Sequence, residues 1–198
     1  MFQSPQTLQA LGEFQPQAAT IFRSAIKGNR LHHAYLLMCS QQSVAQELAA
    51  AVAQTLMCQN VSEHEVSACQ QCAGCRKFSG GNHPDIVLIE PDEKGKIRIG
   101  AIRELSARLS LRASEAETKV VLLVGADQMN PQAQNALLKT LEEPPGKTCF
   151  LLNARRYRHL LPTIRSRVQR IQLTPPSPEQ AKAILLESGI PPELCSTL

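Results

Sequence analysis

Four cysteines carry the clearest chemical pattern in this sequence. Cys58, Cys69, Cys72 and Cys75 are spaced as C-x10-C-x2-C-x2-C. Four thiolates at such spacing are typical of a tetrahedral metal site, and Zn2+ is commonly bound in this way. Because four protein ligands leave no coordination position for water, we predict a structural zinc site and not a catalytic one.

Three other interpretations of these cysteines stay open. They could form disulfides or be unrelated buried thiols, they could hold an iron–sulfur cluster, or His64 or His83 could replace one of them as a ligand. We disfavour disulfides because no secretory signal opens the chain and the other cysteines lie in apolar sequence. Those cysteines are Cys39, Cys149 and Cys195. We expect both histidines to be surface loop residues.

The composition is that of a globular protein. Of 198 residues, 43% are hydrophobic and 19% are charged, and no apolar stretch approaches the ~20 residues that a membrane-spanning helix needs. We therefore predict a cytoplasmic protein without a membrane partner. The net charge of +4 permits contact with nucleic acid. Aromatic residues make up only 4%, with no tryptophan, which argues against a protein that binds single strands by base stacking.

Strands alternate with helices along most of the chain. Apolar runs predict strands at Ala34–Met38, Ile86–Ile89, Val120–Val124 and Cys149–Leu152. Helices are predicted from Ala18 to Ile26, after a capping box of Ser43 and Gln46, around Ile102, Leu105 and Leu109, and from an Asn130 cap to Pro144 and Pro145. This alternation predicts an α/β fold, with a parallel sheet covered by helices on both faces.

A proline-rich stretch suggests a domain boundary near the end of the sequence. We expect residues 1–173 to form the core domain, with the metal module at 58–75 inserted into it. Residues 174–198 would contain a linker and the first helix of a second domain, which starts at a capping box of Ser177 and Gln180. So short a second domain suggests that the protein continues beyond Leu198.

The segment that would bind a nucleotide lacks the necessary residues. In a domain of this kind the first strand leads through G-x-x-x-x-G-K-[ST] into a helix, and that loop holds the phosphates. The corresponding segment, Cys39–Gln46, contains neither glycine nor lysine. Ala45 occupies the lysine position and Gln46 the position of the magnesium-binding hydroxyl. We therefore expect no bound nucleotide.

The acidic pair that would hold Mg2+ is also missing. Val124 and Gly125 occupy its expected place at the end of a strand. Asp127 is an alternative ligand, but we disfavour it because it lies beyond the glycine turn.

Several short motifs resemble those of bacterial clamp-loader subunits of the AAA+ family. They cover the chain from about Ala18 to Leu173 and occur in the family's order: His33-Ala34-Tyr35-Leu36, the four-cysteine module, His83-Pro84-Asp85, Asn135–Pro145 and Ile164–Arg167. The resemblance implies a five-stranded parallel AAA+ (RecA-like) sheet followed by a small helical lid domain. It also implies structural Zn2+ in the cysteine module.

The altered phosphate loop makes the chain most similar to a non-hydrolysing subunit of the DNA polymerase III clamp loader. Such a subunit is not catalytic on its own and helps load the sliding clamp on primed DNA. The implied partners are the gamma/tau ATPase subunits, the delta subunit and, through the complex, primer–template DNA. Arg167 matches the arginine finger given in trans to the adjacent ATPase, although the family's Ser-Arg-Cys reads Ser166-Arg167-Val168 here.

Other functional interpretations remain. The chain could be an ATP-hydrolysing clamp-loader-like AAA+ ATPase with an atypical phosphate loop. The metal module could read DNA directly, but residues 59–68 contain no Lys or Arg, which disfavours this. The arginines of residues 155–170 form either a solvated basic face or a DNA contact, and Arg165 could meet a carboxylate or a nucleotide. Glu142 and Glu143 are expected at a helix end or a subunit contact.

Overall fold

Five parallel strands form the centre of the computed structural model, which describes residues 6–175. The strands are β1 (Ala34–Met38), β2 (Ile86–Ile89), β3 (Lys119–Leu123), β4 (Thr148–Ala154) and β5 (Gln169–Gln172). They lie in the order β2-β3-β4-β1-β5, and each neighbouring pair is parallel. This confirms the predicted parallel α/β sheet.

The sheet is covered on both faces, as a parallel sheet requires. Successive side chains of a strand point to opposite faces, so Val120 and Leu122 of β3 enter one apolar cluster while Val121 and Leu123 enter another. The three central strands are buried along their whole length, and the edge strands β2 and β5 are partly exposed.

Seven α-helices surround the sheet within residues 6–175. They are α1 (Leu8–Phe14), α2 (Pro16–Lys27), α3 (Gln42–Met57), α4 (Ala73–Ser79), α5 (Ile99–Leu109), α6 (Pro131–Glu142) and α7 (Pro162–Arg165). The first four contribute apolar side chains to one face, and the last three contribute to the other. None of these helices has the length and apolar character needed to cross a membrane.

Most predicted elements are present, with small shifts of their ends. The predicted bounds of β1 and β2 are confirmed, whereas β3 begins and ends one residue earlier than predicted and β4 is longer at both ends. The Asn130 cap is also confirmed, because its side chain accepts a hydrogen bond from the backbone N–H of Ala133 at 2.8 Å.

One predicted helix cap is wrong. The capping box of Ser43 and Gln46 does not form, since α3 begins at Gln42 with Gln41 as its N-cap residue and no side-chain cap. Only three residues separate β1 from α3, so the helix starts before Ser43 and that serine lies inside its first turn. The second predicted capping box, at Ser177, lies outside the described residues.

Asp85 fixes the loop that leads into β3. Its carboxylate is 1% exposed and accepts backbone N–H groups from Ser114 at 2.6 Å and from Glu115 and Ala116 at 2.8 Å each. Burial opposes ionisation of this carboxyl, but the three donors outweigh burial and hold its pKa below the usual value. The aspartate thus joins the start of β2 to the start of β3.

We predict that Asp85→Asn destabilises the protein by about 3 kcal/mol at pH 7, because an amide replaces a carboxylate that holds three donors. The lowered pKa means that this stabilisation is present above the unfolded pKa of about 3.9 and is lost as pH falls through the folded value. Urea unfolding from pH 7 to pH 3 should show the wild-type advantage shrinking in acid. The exposed control Glu104→Gln should change stability little, and a constant Asp85→Asn difference across this range would contradict the assignment.

Candidate functional site

The four predicted cysteine ligands meet where α3 ends and α4 begins. Cys58 is the C-cap residue of α3, and Cys72 is the N-cap residue of α4. Cys75 lies in the first turn of α4, and Cys69 lies in the loop before it. Gly74 permits this approach, since a Cβ atom there would lie 2.1 Å from the Met57 carbonyl oxygen. The two helices can therefore bring distant cysteines together only with glycine at this position.

The sulfur atoms have the spacing of a four-coordinate metal site. All four lie within 4.8 Å of one another, and Sγ of Cys58 is 3.9 Å from Sγ of Cys72. A tetrahedron with metal–sulfur bonds of about 2.3 Å has edges of about 3.8 Å. A disulfide would need about 2.05 Å, and all six cysteines within the described part of the chain are free thiols. The disulfide interpretation is therefore wrong for these six.

Backbone N–H groups of the module point at its sulfur atoms. Sγ of Cys72 accepts from Gln59 and Cys75 at 3.4 Å each, and Sγ of Cys58 accepts from Cys69 at 3.3 Å. Burial opposes ionisation of Cys72, but these donors and the neighbouring thiols lower its pKa to about 6. Such donors stabilise thiolates, the form that binds a metal.

The pKa values of the other three cysteines shift in different directions. Backbone N–H donors lower the pKa of Cys69, whereas burial raises the pKa of both Cys58 and Cys75. Four thiolates packed this closely repel one another, so complete ionisation requires a positive charge at their centre.

The two flanking histidines have different positions. His64 is exposed, as predicted, but His83 is only 5% exposed, so its prediction as a surface residue is wrong. His83 lies beneath α4, where its Nδ1 accepts the Asp85 backbone N–H at 3.2 Å, and burial lowers its pKa. Within residues 6–175, the group of potential ligands around the four cysteines includes neither histidine.

The segment at the phosphate-loop position forms a short connection from β1 into α3. Ala45, which occupies the lysine position, is 1% exposed and packs in the apolar cluster on that face of the sheet. Its methyl group offers no charge to a phosphate. The chain thus uses this position for packing.

Asp127, the alternative magnesium ligand, is engaged by the chain itself. Its side chain is 2% exposed and pairs with Nε of Arg156 at 3.3 Å, while the Arg155 backbone N–H donates to it at 3.4 Å. The preceding turn has Gly125 at φ 68°, a conformation that favours glycine. These contacts hold Asp127 towards the end of β4.

Asn153, a buried polar residue at the end of β4, is not among the site residues predicted from the sequence. It lies beside Leu37 of β1, and its Oδ1 accepts the Gly125 backbone N–H at 2.6 Å. The available signal was a polar residue directly after the aliphatic run of β4. Asn153 thus joins the ends of β3 and β4 at the edge where Ala45 lies.

Arg167 lies near the amino-terminal ends of the strands, whereas the phosphate-loop segment lies at their carboxyl-terminal ends. These two ends of the strands form opposite edges of the sheet. Gln169, the first residue of β5, pairs with Tyr35. Cys39 lies four residues after Tyr35, just beyond the end of β1, which is about 13 Å at roughly 3.3 Å per residue. Because Arg167 precedes β5, it cannot reach across the sheet to the chain's own segment at Cys39–Gln46.

A carboxylate and a carbonyl hold the Arg167 guanidinium at this edge. Its Nη2 lies 2.6 Å from Oε1 of Glu142, and its Nη1 donates to the Thr163 carbonyl at 2.8 Å. The side chain retains 34% of its exposure, so the group stays accessible from outside. Glu142, expected at a helix end or a subunit contact, ends α6 and pairs with the arginine.

Arg165 has an aromatic neighbour and no carboxylate among the described residues. Its guanidinium carbon lies 4.9 Å from the centroid of the Tyr157 ring, and that of Arg170 lies 4.8 Å from the same centroid. No ion pair within residues 6–175 includes Arg165 or Arg170.

Comparison with known proteins identifies the family. The sequence profile of the family described as "DNA polymerase III, delta subunit" matches residues 14–177. The DNA polymerase III subunit delta' of Bacillus subtilis is 31% identical over 188 residues, which are 95% of this chain and 56% of that protein. The chain belongs to the delta' family of DNA polymerase III subunits.

Further relatives agree with membership of the delta' family. Subunit delta' of Escherichia coli is 39% identical over 159 residues, 79% of this chain and 46% of that protein. The tau/gamma subunit of Haemophilus influenzae is 34% identical over 80% of this chain and 22% of its own length. The chain spans about half the length of the delta' relatives.

A solved structure agrees with the AAA+ clamp-loader fold. The DNA polymerase III gamma subunit-related protein of Thermotoga maritima superposes with a TM-score of 0.60 at 26% identity. The match covers 86% of this chain and 49% of that one.

We predict that Cys72→Ser reduces the metal content of the protein well below one ion per chain after dialysis, because three thiolates hold an ion less tightly than four. Metal analysis by mass spectrometry measures the ratio, and thermal unfolding reports the accompanying loss of stability. The control Cys39→Ala removes a buried thiol outside the cluster and should retain one ion. Equal metal content in wild type and Cys72→Ser would exclude the tetrathiolate site.

Proposed function

We propose that this chain is the AAA+ portion of a non-hydrolysing clamp-loader subunit that helps load the sliding clamp on primed DNA. Its partners would be the gamma/tau ATPase subunits, the delta subunit and primer–template DNA, and it would act in the cytoplasm. The observation that carries this proposal is the burial of Ala45 at the phosphate-lysine position, combined with an accessible Arg167 at the opposite edge. Membership of the delta' family supports it.

The chemistry of ATP hydrolysis explains why the chain would not act alone. Phosphoryl transfer depends on positive charge around the transferred phosphoryl group and on a correctly placed Mg2+ ion. Here a methyl group replaces the ammonium, Gln46 replaces the hydroxyl, and Asp127 is occupied by Arg156. The chain therefore offers no free ammonium, hydroxyl or carboxylate group at these three positions.

Arg167 would act on the nucleotide of the adjacent ATPase subunit. A guanidinium presents a planar fork of donors that matches phosphoryl oxygens. In the free chain Glu142 and Thr163 occupy part of this fork, so engagement of a phosphate exchanges the Glu142 carboxylate for phosphoryl oxygens. The ion pair is partly exposed, and such pairs contribute only about 0–1 kcal/mol, so the exchange costs little.

The metal in the cysteine module would be Zn2+ in a structural role. Four sulfur ligands at tetrahedral spacing suit this ion, and they leave no open position for substrate or water. An iron–sulfur cluster, the alternative, would give a brown protein with visible absorbance, whereas zinc tetrathiolate is colourless. We also retain the proposed division into a core domain at 1–173, with its inserted module at 58–75, and a linker with the first lid helix at 174–198.

We predict that Arg167→Ala in the complete subunit sharply lowers DNA-stimulated ATP turnover by the reconstituted loader. An arginine finger contributes on the order of 10^3 to 10^5 in rate at the site it serves, so turnover at the adjacent ATPase should nearly stop. Single-turnover measurement with only that ATPase competent for hydrolysis resolves the effect.

Two controls distinguish the finger from a structural role. Arg158→Ala removes an exposed arginine from the same segment and should leave turnover unchanged. Size-exclusion chromatography should show normal assembly of Arg167→Ala with its partners. Unchanged turnover in an assembled Arg167→Ala loader would refute the finger.

The ATP-hydrolysing alternative makes a different prediction about the chain by itself. We expect titration calorimetry of the complete subunit with Mg-ATP to show no saturable binding at micromolar concentration, because no lysine is present to hold the phosphates. A gamma/tau subunit serves as the positive control. Saturable micromolar binding would favour the ATPase with an atypical phosphate loop.

A further inference from the structure

The segment before and within β5 is rich in arginine and lacks acidic residues. No Asp or Glu occurs between residues 144 and 178, while six arginines occur in residues 155–170. Two of the six have carboxylate partners, Arg156 with Asp127 and Arg167 with Glu142. Two others, Arg165 and Arg170, contact an aromatic ring instead of a carboxylate.

Arg165 and Arg170 share one aromatic ring. Their guanidinium carbons lie 4.9 Å and 4.8 Å from the centroid of Tyr157, within the ~6 Å range of cation–π contacts. The two cations are therefore within about 10 Å of each other. The ring orders both side chains but carries no formal charge, so two positive charges remain without an anion among the described residues.

The Arg165 side chain also has an unused donor. Its Nε atom is buried and has no hydrogen-bond partner, whereas Nη2 of Arg170 donates to Gln172 at 2.9 Å. A buried polar group without a partner is unfavourable. Because this Nε atom is buried, an anion would be met by the outer nitrogens of the half-buried Arg165 and by the exposed Arg170.

We infer that Arg165, Tyr157 and Arg170 form a binding site for the phosphate groups of a nucleic acid strand. Ordered guanidiniums lose little side-chain entropy when they bind, and their forks match phosphate oxygens. A nucleic acid strand carries a phosphate at every nucleotide, so one strand can engage both arginines. This site rests on the proposed function, which already includes primer–template DNA as a partner, but it does not depend on Arg167 acting as a finger.

The experiment measures binding of fluorescein-labelled oligothymidylate to the complete subunit by fluorescence anisotropy over a series of salt concentrations. Arg165→Gln and Arg170→Gln should each weaken binding about tenfold, since each removes charge-assisted hydrogen bonds. The double variant should reduce the slope of log K against log salt by about 1.4, at roughly 0.7 per phosphate on a single strand. Tyr157→Leu should also weaken binding several-fold, although it changes no charge.

The controls separate this site from general attraction by a basic face. Arg158→Gln removes one charge from the same segment but leaves Arg165, Tyr157 and Arg170 in place. It should weaken binding of the oligonucleotide less than Arg165→Gln does. Thermal unfolding of each variant checks that the fold is retained. The inference is overturned if Arg158→Gln weakens binding as much as Arg165→Gln, or if a folded Tyr157→Leu binds like wild type.

Two further measurements identify the source of the phosphate and separate this inference from the proposed function. Mg-ATP should not displace the labelled strand at micromolar concentration, and displacement would assign the site to a nucleotide instead of a strand. In the reconstituted loader, Arg165→Gln with Arg170→Gln should raise the DNA concentration needed for half-maximal ATP turnover, while turnover at saturating DNA stays normal. Arg167→Ala should do the reverse, so the two ideas can fail separately.

Discussion

All five strands of the sheet run in the same direction, and this constraint decides which side chains can meet. Segments that precede strands gather at the amino-terminal ends of the strands, the first edge. Segments that follow strands gather at the carboxyl-terminal ends, the second edge. Arg167 and Glu142 belong to the first edge, whereas Ala45, Asp127 and Asn153 belong to the second. The two edges are separated by the length of the strands. The absence of a lysine at the second edge therefore does not affect Arg167 at the first edge. A chain can thus lack its own phosphate site and still present an arginine outward.

The polar groups at the second edge are satisfied by one another. Asp127 receives Arg156 and a backbone N–H group, and Asn153 receives the N–H of Gly125. These contacts tie the ends of β3 and β4 together without a ligand. At Arg165 the situation is different, because a buried donor remains without an acceptor. The polar groups of the second edge thus have partners within the chain, whereas Arg165 and Arg170 have the Tyr157 ring and no carboxylate among the described residues.

The sequence allowed the sheet, four of its strands and the cysteine cluster to be predicted, because each depends on a local pattern. Long aliphatic runs such as Val120–Val124 have few alternative structures, and four cysteines at this spacing have few alternative uses. The location of β5 was missed because Gln169–Gln172 has a single buried apolar residue, Ile171, and takes its structure from pairing with β1. Short helices α1 and α4 were missed for a similar reason, since packing and the cysteine cluster determine them.

Contacts between distant residues were the part of the site that sequence could not supply. His83 was expected on the surface because it lies in a polar loop, but α4 covers it. The ion pair of Glu142 with Arg167 joins residues that are 25 positions apart in the sequence. The ring of Tyr157 brings together Arg165 and Arg170, which lie in separate parts of the chain. The strand order decides which of these segments become neighbours, and that order could not be read from the sequence.

The cysteine module is tied to the same sheet through several contacts, so its metal would stabilise more than a local loop. Phe78 of α4 packs in the apolar cluster beneath α3, and Gln54 of α3 donates to Ser79 at 3.3 Å. The module connects α3 to β2, and β2 in turn is joined to β3 through Asp85. Binding of a cation to four thiolates orders the helix junction, because ligands from both helices must be held at once. The module leads into His83 and Asp85 before β2, so a bound metal would help the Asp85 carboxylate to hold that edge strand on the sheet.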